Sequence, residues 1–210
     1  MSDHELPGLS RGDVLIKGAL AAGTLYGLGA IGPYARRAVA ADGSEVDTLN
    51  FLLWLEYLQA TLYGRGNSEI NDKGEKLPLG PEEKKMIELL LAQEGQHIAA
   101  MRKLIEDLGG QPKKEDKSEF GFAFRFRGTL QELAGVAEAA AIGAYNGAIP
   151  SLRSKEAREL AFSIVQVEGR HAAMVAAANR QDPAPEAFDL GLSEESARAA
   201  SEQFIETQPE

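Results

Sequence analysis

The chain contains no cysteine, one tryptophan and only three histidines among its 210 residues. Without thiols there can be no disulfide, no thiolate zinc site and no rubredoxin-type iron centre. Basic side chains are outnumbered by acidic ones, 22 against 32, which leaves a net charge of −10. That sign argues against nucleic acid or an anionic membrane as a main partner. Long apolar runs are also lacking. The weakly apolar stretch 18–32 is short and holds five glycines, so it does not span a bilayer comfortably.

What is present is a repeat. Two of the three histidines fall in the same short motif, Glu94-Gly95-Gln96-His97 and Glu168-Gly169-Arg170-His171. Both lie on long segments with helical patterning. A glutamate and a histidine three residues apart share one face of a helix, so each copy offers one carboxylate and one imidazole to a common site.

Two further helical segments complete the pattern. Residues 47–63 are almost wholly apolar and carry one mid-segment charge, Glu56, on the stripe of Leu49, Leu52, Leu53, Ala60 and Tyr63; Asp47 is the expected cap. Residues 130–149 form an alanine-rich run in which Glu138 is the only charge after Glu132. Tyr63 follows Glu56 by seven residues, and Tyr145 follows Glu138 by the same interval. The chain thus reads as two copies of one unit, a helix with a lone glutamate followed by a helix with Glu-x-x-His. An isolated buried carboxylate costs several kcal/mol even after relaxation, so four in one core call for cations.

With four glutamates and two histidines at these spacings, the chain resembles the ferritin-like superfamily over residues 47–180. The resemblance implies an all-α fold, a ferritin-like four-helix bundle with one long crossover and a short C-terminal helix. It implies two metal ions, with Glu56 and Glu138 as terminal ligands, Glu94 and Glu168 bridging, and His97 and His171 binding one metal each. Iron or manganese suits the mixed nitrogen and oxygen set, and zinc is also compatible. The crossover and tail look closer to exported bacterial ferritin-like proteins, related to desiccation-associated ones, than to cage ferritins.

The ends extend beyond this core. Residues 1–40 read as an export signal, with Lys17 before the apolar run, Arg36-Arg37 after it and an Ala-x-Ala site ending at Ala40. The segment is similar to a twin-arginine signal, although Gly12 stands where the second arginine belongs. The expected location is therefore periplasmic or otherwise extracytoplasmic, with an uncleaved anchor as the alternative. Residues 41–182 would form the bundle. Residues 183–210 would form an extension docked through Phe188, Leu190, Leu192, Phe204 and Ile205.

Between the two units, Gly109-Gly110-Gln111-Pro112 ends one helix, and residues 109–128 form the crossover. Twenty extended residues reach roughly 65 Å, against roughly 30 Å for a twenty-residue helix. Phe120, Phe122, Phe124 and Phe126 alternate with other residues and would pack into a groove between helices; a hydrophobic contact with a partner subunit, and hence a homo-oligomer, is the alternative. Gly95 and Gly169, each costing about 1 kcal/mol relative to alanine, suggest close helix approach around the metals. Tyr63 and Tyr145 are expected to support the site and not to ligate.

Two functions follow from the resemblance. One is a dinuclear metalloprotein handling dioxygen, peroxide or ferrous iron, as an oxidase, peroxidase or catalase-type enzyme fed by a separate electron donor. The other is a non-enzymatic stress or desiccation-related protein whose metals are structural, sequestered or vestigial. The ligand pattern alone assigns no catalytic residue.

Overall fold

Helix α1 spans Glu45–Asn67, α2 Pro81–Asp107, α3 Arg127–Ala148, α4 Lys155–Ala178 and α5 Glu194–Ser201. The structure, a computed structural model, describes residues 44–68, 76–77, 79–117, 120 and 127–204, with the side chains of 127–129 and 203 excluded. The export-signal reading of residues 1–40 lies outside these residues, as do Phe122, Phe124, Phe126 and Ile205. Among the described residues the fold is all-helical, and no helix is long and apolar enough to cross a membrane.

The helix starts follow local chemistry. Ser44, not Asp47, caps α1: its hydroxyl accepts from the Asp47 amide while the Asp47 carboxylate accepts from the Ser44 amide. This reciprocal pair satisfies two amides that the first turn leaves free, and so moves the start three residues upstream of the expected cap. Pro81 opens α2, and Ser154 caps α4. At the other end of α2, Gly109 adopts a φ of 77° and lets the Gly110 amide reach back to the Ile105 carbonyl at 2.9 Å. The same closure ends α4, where the Gln181 amide reaches the Ala176 carbonyl at 2.8 Å. There the left-handed residue is Arg180, at φ 59°.

Contacts at the ends fix the topology. Val46 of α1 lies against Gly110 beyond α2, while Gly64 near the end of α1 faces Leu91, so α1 and α2 are antiparallel. Asn179 donates to the Gln131 carbonyl, which sets α3 and α4 antiparallel, and Gln131 donates to Glu83, which brings the starts of α2 and α3 together. The segment joining α2 to α3 must therefore return the length of the bundle. Its described residues run along α1. Asn50 grips Gln111 and Lys113 by both ends of its amide, the Tyr57 hydroxyl donates to the Lys113 carbonyl, and Arg65 donates to the Lys117 carbonyl. Phe120 is buried with its ring centroid 5.6 Å from that of Trp54.

Helix α1 is consequently buried on nearly every side, which explains an apolar sequence with no solvent face. Beyond α4 the chain crosses α3 as an extended strap. The Leu192 amide donates to the Gly143 carbonyl at 2.7 Å, and a Cβ on Gly147 would overlap the Leu192 carbonyl. Gly143 and Gly147 therefore form a trough for another backbone. Helix α5 then packs on α3, with the Arg198 guanidinium 4.6 Å from the centroid of Phe51 and Phe204 fully buried. Phe188, expected to dock, is 70% exposed, because the strap reaches its trough only at Leu192.

Candidate metal centre

Each of the four long helices sends its charged inward residue to the middle of the bundle. Glu56 of α1, Glu94 of α2, Glu138 of α3, and Glu168 and His171 of α4 are 0% exposed, and His97 of α2 is 8% exposed. All six residues singled out in the sequence come together. They form two overlapping groups, Glu56-Glu94-His97-Glu168 and Glu94-Glu138-Glu168-His171, with the donor atoms of each within 4.8 Å of one another. Glu94 and Glu168 belong to both.

The imidazoles are packed among the carboxylates. His97 Nδ1 lies 3.1 Å from Glu56, 3.3 Å from Glu94 and 3.0 Å from Glu168. His171 Nδ1 lies 3.0 Å from Glu94, 3.8 Å from Glu138 and 3.6 Å from Glu168. Among the described residues, the ion pairs of the four glutamates are all with these two histidines.

Several donors are left without a partner. Glu94 Oε1, Glu168 Oε1 and His171 Nδ1 are buried and make no hydrogen bond. Glu94 Oε1 and His171 Nδ1 are 3.0 Å apart yet not aligned as donor and acceptor. Buried polar atoms are rarely left in this state, and together they fit a shared cation.

The tyrosines cross between the units. Tyr63 donates to Glu138 Oε1, and Tyr145 donates to Glu56 Oε1 at 2.5 Å. Seven residues carry each hydroxyl roughly 10 Å along its own helix, away from its own glutamate and up to that of the antiparallel neighbour.

Two glutamines complete the surroundings, and sequence reasoning did not single them out. Gln59 Nε2 donates to Glu168 at 2.8 Å and to Glu138 at 3.2 Å. Gln93 Oε1 is 2.7 Å from His171 Nε2. The available signal for Gln59 was a polar amide in an otherwise apolar helix, three residues from Glu56. Gln93 carried none, since it serves a histidine on another helix. Gly95 and Gly169 do not mark close helix approach: both are exposed, and a Cβ on either would meet nothing within 4 Å.

Protons balance the charge when no metal is present. Burial, reinforced by the Glu168 carboxylate, pushes Glu56 and Glu138 well above the ordinary carboxylate range. Burial acts the same way on Glu168, but the His171 and His97 imidazoles and the Glu138 carboxyl beside it outweigh burial and hold that carboxyl below the range. Burial opposes charge on the imidazoles too. The nearby carboxylates of Glu168, Glu56 and Glu94 nevertheless push His97 up to about 12, and those of Glu168 and Glu94 push His171 up to about 9. The Tyr63 and Tyr145 hydroxyls rise through burial and the neighbouring Glu138 and Glu56 carboxylates, so both remain donors. Cations would take the place of the protons on Glu56, Glu138 and the imidazoles.

A family model described as a ferritin-like domain matches residues 44–181, from the α1 cap to just beyond α4. No curated protein matches the chain.

Proposed function

The chain belongs to the ferritin-like domain family, and we propose that its buried glutamate and histidine cluster is a dinuclear metal centre of an extracytoplasmic protein that handles dioxygen, peroxide or ferrous iron. One observation carries the reading: buried, unpartnered donor atoms of Glu94, Glu168 and His171 converge among four carboxylates that have no lysine or arginine partner among the described residues. Two divalent cations neutralise four carboxylates without any proton. The donor set of carboxylate oxygen and imidazole nitrogen suits iron or manganese.

In this reading Glu56 and Glu138 each serve one metal, Glu94 and Glu168 serve both, and His97 and His171 serve one each. A redox-active metal pair would supply two electrons in concert to an oxygen species, which carboxylates alone cannot do. The protein's own part is to position and to exclude water. Tyr63 and Tyr145 hold one oxygen each of Glu138 and Glu56, and five of the six cluster side chains are 0% exposed, which keeps bulk water away from them. The chain has no cysteine with which to hold a rubredoxin-type iron centre, so a reaction that consumes electrons beyond those of its substrate would draw them from a separate donor. The extracytoplasmic placement rests on the signal-like sequence of residues 1–40.

Metal analysis of the purified chain, paired with assays of peroxide and ferrous-iron consumption, tests the proposal. About two iron or manganese ions per chain with turnover is the expected result. Two ions without turnover would transfer the reading to a structural or protective role, and no bound metal would end it.

A further inference from the structure

The two halves of the cluster repeat in their ligands but not in what stands behind them. Glu56 and Glu138 are equivalent, yet three residues on, one unit has Gln59 and the other Ala141. Glu94 and Glu168 are equivalent, yet one residue earlier, one unit has Gln93 and the other Val167. Both glutamines act on the same side of the centre. Gln93 accepts from His171 Nε2, which fixes that ring and leaves Nδ1 facing the carboxylates. Gln59 donates to Glu138 and Glu168, and its own oxygen has no partner, so the amide is tied to those two carboxylates.

The opposite side lacks both devices. Alanine and valine offer no hydrogen bond, and the polar contacts of His97 among the described residues all run through Nδ1. Its side chain is also the open one, 10% exposed against 0% for His171. A histidine whose remote nitrogen is held by an acceptor is a stronger and better-oriented ligand, and such partners are worth roughly 10–100-fold in metal affinity.

From these contrasts we propose that Gln59 and Gln93 divide the centre into a tight, enclosed metal position at Glu138 and His171 and a weaker, accessible one at Glu56 and His97. This rests on the dinuclear reading above. Gln59 and Gln93 are positioning residues, acting through ligands they hold in place before metal arrives. The enclosed position fills first. The accessible one exchanges its metal and is the side from which a small exogenous molecule approaches.

Titration of the metal-free full-length chain with cobalt(II), followed by calorimetry and visible absorption, decides the matter. Two steps are expected, the first tighter by about tenfold or more. H171A should remove the tight step, and H97A the weak one. Q93V should weaken the first step by about tenfold while leaving the second step unchanged. V167Q supplies the missing acceptor to the other side and should tighten the second step, a gain that lost packing cannot mimic. Two equal steps in the unaltered chain, or equal weakening of both steps by Q93V, would overturn the inference and leave a dinuclear centre standing. Failure to bind cobalt at all would remove the dinuclear reading, and the inference with it.

Discussion

The unit α1–α2 and the unit α3–α4 carry the same glutamate and histidine skeleton and are stabilised by different means. In each, a lone glutamate, a tyrosine seven residues later and a Glu-x-x-His pair occupy equivalent places, and each tyrosine serves the other unit's glutamate. Around that skeleton the units diverge. The crossover is fastened to α1 by side chains, Asn50, Tyr57 and Arg65, whereas the strap is laid on α3 by backbone contact over Gly143 and Gly147. Helix α2 ends on a left-handed glycine and α4 on a left-handed arginine. The difference separates what the buried cluster repeats, the same side chains at the same spacing on both sides, from what only a stable bundle demands, which each unit meets in its own way.

The largest break in the shared skeleton is the loss of a residue common to both donor groups. E94A or E168A should abolish metal-dependent stabilisation, which for a ligand at a hundred times its Kd is about 2.7 kcal/mol, or roughly 5–10 °C in Tm for a chain of this size. Melting curves with and without added manganese check this. A shift in either variant equal to that of the unaltered chain would remove that residue from the ligand set.

A change of pH acts on both units together. The folded-state values of His97 and His171, about 12 and about 9, stand above the ordinary 6.5, so the folded metal-free chain holds more protons than the unfolded one. Their contribution to stability is present in full below about pH 6.5 and is lost as pH rises through about 9 for His171 and then about 12 for His97. Glu56 and Glu138 are also raised, so they act with the same sign, from about 4.5 upward. The Tm of the metal-free chain should fall from about pH 6.5 to about pH 9, while manganese affinity rises over the same window because metal displaces those protons. A Tm that rises with pH across that window is the contrary result.

Smaller effects sharpen the difference between the two fastenings. G147V drives a branched side chain into the Leu192 backbone and should cost about 1–3 kcal/mol, with increased proteolysis at the strap. N50A removes two hydrogen bonds to the crossover and should cost about 1–2 kcal/mol, with cleavage moved to residues 111–117. R180G places at the end of α4 the residue type that already ends α2. It should stabilise by about 0.5–1 kcal/mol in chemical denaturation, since the left-handed conformation costs glycine nothing.

The buried cluster was legible because charge in an apolar helix has few bland explanations. Glu56 and Glu138 stand alone among hydrophobic neighbours, and both histidines repeat at one spacing from a glutamate. The end of α2 was legible for a related reason, since Gly109 acts locally. The start of α1 was missed because Ser44 and Asp47 act as a reciprocal pair, and reading Asp47 alone hid its partner. Gln59 and Gln93 were hidden because a neutral amide reveals its role only once a residue from another helix stands beside it. Glycine misled for the same tertiary reason. Gly95 and Gly169 flank Glu94 and Glu168 yet face open space, while Gly143 and Gly147 accept the strap at Leu192.

If the cluster is a dinuclear centre, two cations belong between Glu94 and Glu168. Crystals of the manganese-loaded chain, examined by anomalous scattering, test it directly. The account predicts two peaks between those glutamates, one flanked by Glu56 and His97 and the other by Glu138 and His171. A cluster without any peak in crystals grown from manganese-saturated protein would contradict it.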